Sequence, residues 1–144
     1  MQRRTFLALL MAPLLMAAGP VWTGADSSSP AAGGQDVVSY FSGTPVAGDP
    51  AFATDHHGAR FLFATPENLA AFKASPGRYM PQYGGHCAWA AAQGRRAGGD
   101  PSVWRIVEGK LYLNCSRSAE EKWLADLQGN IAKADEWWAW EGDW

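Results

Sequence analysis

Two runs of alternating apolar residues, each folded back at a glycine and followed by a helix signal, constrain this chain more than any other feature. In the first, Ala51-Phe52-Ala53-Thr54 leads into the turn signal Asp55-His56-His57-Gly58 and returns as Ala59-Arg60-Phe61-Leu62-Phe63. A period of two puts Phe61 and Phe63 on one face and Arg60 and Leu62 on the other. Thr65 is placed to cap a helix whose first residue is Pro66, with Glu67 in its first turn. Leu69 and Phe72, three apart, should pack on the phenylalanine face. In the second run, residues 103–107 and 110–114 flank Glu108-Gly109, a pair suited to a tight hairpin turn. Leu111 and Leu113 share one face of it, Tyr112 and Asn114 the other. Ser118 with Glu121 reads as a capping box, with Trp123, Leu124 and Leu127 as the apolar stripe. Gly129-Asn130 interrupts, and Ile131, Ala134 and Trp138 resume the helical spacing. The expected fold is α+β: a small single domain of two β-hairpin/helix units, with the C-terminal helices packed on the sheet.

The first residues read as an address. Arg3-Arg4-Thr5-Phe6-Leu7 is a twin-arginine pair, and the apolar run over residues 6–18 is shorter than the roughly 20 residues that a membrane span needs. Small residues suit cleavage after Thr23-Gly24-Ala25, which would remove 25 of the 144 residues and leave 119, enough for one core. It would also remove Arg3 and Arg4 from the 12 basic side chains, leaving 10 against 14 acidic ones, a net charge of −4. That balance argues against a nucleic-acid partner, and no stable membrane anchor is expected once the leader is gone. The expected organisation is leader 1–25, flexible linker 26–35, domain 36–139 and tail 140–144, in a protein exported to the periplasm.

Within the domain, Gly84-Gly85-His86-Cys87 opens an alanine-rich helical run that ends at Gly94. A helix beginning at Gly85 or His86 would put Cys87 in its first turn, where unpaired N–H groups favour a thiolate. Only one other cysteine exists, Cys115. A bridge between them would contribute about 3–4 kcal/mol in the chain-entropy model, and sequence leaves open whether the two approach. His86 is the neighbouring candidate metal ligand, with Cys115, His56 and His57 as weaker ones. Trp89, Trp104, Trp123, Trp137 and Trp138 fall at core positions rather than in a ligand-stacking box. No Ser-His-Asp order, paired-carboxylate site or phosphate loop is present, which favours a protein without catalysis of its own.

Several blocks in order resemble the YHS-domain family: Asp36-Val37-Val38-Ser39-Tyr40-Phe41, Gly43-Thr44-Pro45-Val46-Ala47-Gly48, residues 58–63, and Glu67-Asn68 with Phe72. Further blocks are similar to its exported bacterial branch, labelled YHS-domain (seleno)protein. These are Pro81-Gln82-Tyr83-Gly84-Gly85-His86-Cys87-Ala88, Asp100-Pro101 with Trp104, Gly109-Lys110-Leu111-Tyr112-Leu113-Asn114, and Ile131-Ala132-Lys133-Ala134-Asp135. The resemblance implies metal binding, through cysteines near the first strand and after the second. Those places here read Val37-Val38-Ser39 and Ala64-Thr65-Pro66, so a metal role would shift onto Cys87. The family's usual residue after Leu113-Asn114 is aromatic, where this chain has Cys115.

Three functions stay open on these residues. One is a periplasmic accessory protein that binds metal, copper first and zinc second, through Cys87 and His86. Another is a thiol-redox protein using Cys87, with Cys115 as resolving partner. The third is a structural or partner-binding module with an inert cysteine.

Overall fold

Asp49–His56 (β1) pairs antiparallel with Ala59–Phe63 (β2), and Asp100–Val107 (β3) pairs antiparallel with Lys110–Asn114 (β4). The computed structural model describes residues 20–26 and 28–141; the apolar leader run and the last three residues of the tail lie outside them. The hairpins turn at His57-Gly58 and Glu108-Gly109, and all four of these residues have positive φ (49°, 76°, 50° and 73°). Two successive left-handed residues give the turn twist that matches paired strands.

A capped helix follows each hairpin. Thr65 Oγ1 accepts the Asn68 N–H at 3.1 Å and starts Pro66–Ala74 (α1). The short Pro76–Tyr79 (α2) and Ala88–Ala92 (α3) come next. Ser116 Oγ accepts the Ala119 N–H at 3.1 Å and starts Arg117–Ala125 (α4). The cap is therefore Ser116 and not Ser118: Ser116 has the extended backbone that an N-cap needs, while Ser118 lies inside the first turn. Leu127–Glu141 (α5) is continuous through Gly129 and Asn130. The break falls at Asp126, which leaves helical geometry (φ −142°, ψ 68°). The polar residues serve that junction: Asp126 accepts the Gly129 N–H, and Asn130 Nδ2 donates to the Trp123 carbonyl at 2.9 Å.

The two units are copies at a constant shift of 51 positions. Ala31–Gly34 becomes Gln82–Gly85, β1 at Asp49 becomes β3 at Asp100, β2 at Ala59 becomes β4 at Lys110, and α1 at Pro66 becomes α4 at Arg117. Finer features repeat at the same shift. The bridge Gln35–Ala47 matches His86–Gly98. The register irregularity between Asp49 and Ala53 matches that between Asp100 and Trp104. The left-handed pair Ala32-Gly33 matches Tyr83-Gly84.

Each copy builds its own core. In the first, Phe72 from α1 lies 4.9 Å from Phe61 and 5.0 Å from Phe63, as the period-two pattern predicts. In the second, Trp123 from α4, the counterpart of Phe72, lies 5.1 Å from Tyr112, and α5 covers this copy with Ala134 and Trp138. Tyr40 joins the copies: it packs with Leu111 and Leu113, and its hydroxyl donates to the Pro101 carbonyl at 2.6 Å. Burial, then the Asp100 carboxylate, pushes that phenol up to about 12, so it stays a donor. The architecture is α+β, with the C-terminal helices packed on the sheet.

Two boundaries differ from expectation. Part of the stretch expected as a flexible linker packs: Ala31 and Ala32 are buried in the first core. Packing begins before Asp36, since Val21 is buried in that same core. At the other end, α5 runs on through Trp140 into the expected tail, and Trp140 is exposed.

Candidate functional site

Cys87 is the N-cap of α3, one position before the helix, and is fully buried. Its backbone N–H donates to the Ala97 carbonyl at 2.8 Å, and its carbonyl accepts the Ala91 N–H. The thiol packs with Ala90 and Ala119, donates to Asn114 Oδ1 at 3.6 Å, and accepts the Cys115 N–H at 3.1 Å. Burial pushes the Cys87 thiol up, and the Ala90 N–H opposes that only in part. The expectation of a thiolate favoured by a first helical turn is thus overturned. The helix starts at Ala88, it has only five residues, and desolvation of the sulfur outweighs the nearby N–H groups.

The first copy explains what this position does. Its counterpart is Asp36, also fully buried. Asp36 Oδ1 accepts the N–H groups of Val38 and Ser39, and Oδ2 accepts the Ala64 N–H and Asn68 Nδ2 at 2.9 and 2.8 Å. Ala64 is the counterpart of Cys115 and Val38 that of Trp89. In the second copy two side chains share this role. Cys87 takes the Cys115 N–H, while Asn114 Oδ1 takes the Trp89 N–H at 2.9 Å. Cys87 and Asn114 together therefore tie the start of α3 to the end of β4, as Asp36 alone ties the first copy.

The arrangement brings the two cysteines together. Cys115 follows β4 and is exposed, Cys87 lies beneath it, and both are free thiols. The Cys115 side chain beside it adds to the upward push on the Cys87 thiol. His86 has other partners. Its Nδ1 lies 2.7 Å from the Tyr83 carbonyl and must donate to it, and its ring meets Trp22 at 6.1 Å and Trp138 at 5.6 Å. His56 packs on Phe72, with rings 5.5 Å apart, and on His57 beside the first hairpin turn. His57 and His86 line one cavity of about 270 Å³ with Val21, Trp22, Ala59 and Arg96. Among the described residues no three or more His, Cys, Asp or Glu side chains converge on one point. The five expected tryptophans lie at the core: Trp123 and Trp138 are buried, and Trp89, Trp104 and Trp137 pack against core clusters.

Asp36 and Asn114 are the residues that sequence reasoning missed. The signal for them is internal similarity: Gly33-Gly34 and Gly84-Gly85, and Gly48-Asp49-Pro50 and Gly99-Asp100-Pro101, stand at one spacing. No family model matches the chain, and neither a curated protein nor a solved structure does.

Burial, and then the Arg96 charge, lower the His86 pKa; burial, and then His57, lower that of His56. A histidine depressed by folding contributes stability that is present above its unfolded value of about 6.5 and is lost as pH falls through the folded value. The urea midpoint should therefore drop from about pH 7.5 to about pH 5.5. His86→Gln, which copies Gln35 and keeps an amide donor for the Tyr83 carbonyl, should reduce that drop. Identical drops in the two proteins would contradict the assignment.

Proposed function

We propose that this chain is an exported accessory protein, without catalysis of its own, that holds a soft metal ion through Cys87 and Cys115. The observation that supports it is the approach of the chain's two cysteines, the Cys115 backbone N–H donating to Cys87 Sγ at 3.1 Å. Thiolates suit copper(I), whereas structural zinc takes four ligands, and this pair offers two. The proposal keeps copper ahead of zinc and moves the second ligand from His86 to Cys115. Loading would release the thiol protons, as metal binding to cysteine requires. The resemblance to exported YHS-domain proteins points the same way, through metal binding and the leader.

Protein recovered from the periplasm and reconstituted with copper(I) should carry more metal than Cys87→Ser treated alongside it. Equal metal contents would end the proposal.

A second reading is favoured by the Asp36 counterpart. Cys87 is then a structural acceptor and the domain a partner-binding module, in which Cys87→Ala shifts stability and changes no metal content. The thiol-redox alternative rests on the same pair. Burial of Cys87 would leave the attacking role to exposed Cys115, and oxidised protein would take up no alkylating reagent at either thiol.

A further inference from the structure

Val21 and Trp22 run against the second copy's Gly-Gly loop. The Trp22 N–H donates to the Gly84 carbonyl at 2.7 Å, Val21 is buried in the first core, and the Trp22 indole lies against the His86 ring. Two glycines mark the path of this segment. A side chain at Gly84 would be driven into the Pro20 carbonyl, and one at Gly98 into the Trp22 indole. The comparison between copies isolates the second effect. The counterpart of Gly98 is Ala47, which holds the same bridge position opposite Gln35 that Gly98 holds opposite His86. An alanine thus stands in the copy whose bridge lies away from this segment, and a glycine where Trp22 covers it. The φ of Gly98 is not in the left-handed region, so the backbone there does not itself demand glycine.

We propose that the segment 20–26 is a permanent strap of the exported domain and that the leader is cut before Val21, not after Ala25. The strap forms one wall of the cavity at His86 and ties the two copies through Val21 on one side and Trp22 on the other. Cleavage after Ala25 would remove a buried side chain from the first core and strip the cover from His86. This inference rests on the export reading, and its test separates the two.

The test uses four versions of the full chain recovered from the periplasm: wild type, Trp22→Ala, Gly98→Ala and the double variant. The intact mass of each should show a first residue at or before Val21. Trp22→Ala should lower the urea midpoint by about 1 M, and Gly98→Ala should lower it by a similar step. In the Trp22→Ala background the Gly98→Ala step should largely vanish, because the indole it strikes is gone. A mass that begins at Asp26, or midpoints that none of the substitutions move, would overturn the proposal. Protein found only in the cytoplasm with its leader attached refutes export, and the coupling between Trp22 and Gly98 then decides the strap by itself.

Discussion

Asp36→Ala should cost about 3–5 kcal/mol and leave the domain partly unfolded at room temperature. The carboxylate is fully buried and accepts four hydrogen bonds, from three backbone N–H groups and the Asn68 amide. Removing it takes the acceptor from the Val38 and Ala64 N–H groups and from the Asn68 amide, while the Ser39 N–H keeps the Asp36 carbonyl; each bond to a carboxylate is worth about 1.5–3 kcal/mol. Asp36→Asn keeps the shape but turns one acceptor into a donor, so it should fall between alanine and wild type. Cys87→Ala, the matching change in the second copy, should cost only about 1–2 kcal/mol, because a sulfur is a weak acceptor and Asn114 keeps the Trp89 N–H satisfied. Urea unfolding of the three variants gives the ranking directly. A Cys87→Ala cost equal to that of Asp36→Ala would contradict the division of labour between Cys87 and Asn114.

Trp123→Ala should cost a further large amount, about 3–5 kcal/mol, by emptying the centre of the second core. Trp123 is fully buried against Tyr112 and packs under α5, so few neighbours can relax into the space. Its indole Nε1 is buried with no hydrogen-bond partner among the described residues. Trp123→Phe copies Phe72 from the first copy and removes that unpaired donor. It should therefore cost under about 2 kcal/mol. Thermal unfolding would show the contrast, and a phenylalanine variant as unstable as the alanine one would contradict it.

The hairpins and the first capped helix are legible in the sequence because their signals are local. Alternation at Phe61 and Phe63, the glycines at 58 and 109, and Thr65 before Pro66 each act within a few residues. The second cap is ambiguous in sequence because Ser116 and Ser118 both offer a hydroxyl, and only backbone geometry separates them. The break between α4 and α5 is masked because Gly129 and Asn130 look like helix breakers, although they serve the Asp126 junction from inside the first turns of α5. The duplication is hidden by divergence at the positions that matter most. Asp36 faces Cys87 across the shift and Phe63 faces Asn114, so the copies share mainly their glycine framework. Chemistry at Cys87 is the least legible part. Its ionisation depends on burial, and its partner lies across the β3–β4 hairpin, a long-range contact that no spacing rule encodes.

On the proposed function, metal binding runs through the Cys87–Cys115 pair and not through Cys87 with His86. Copper(I) affinity, measured by competition with a chromophoric chelator on reduced wild type, Cys115→Ser and His86→Gln, separates the two pairs. Cys115 is exposed, so its substitution leaves the fold in place. Cys115→Ser, which loses one of two soft ligands, should bind at least about a hundredfold more weakly, and His86→Gln should keep wild-type affinity. Wild-type affinity in Cys115→Ser, or a loss confined to His86→Gln, would contradict the proposal.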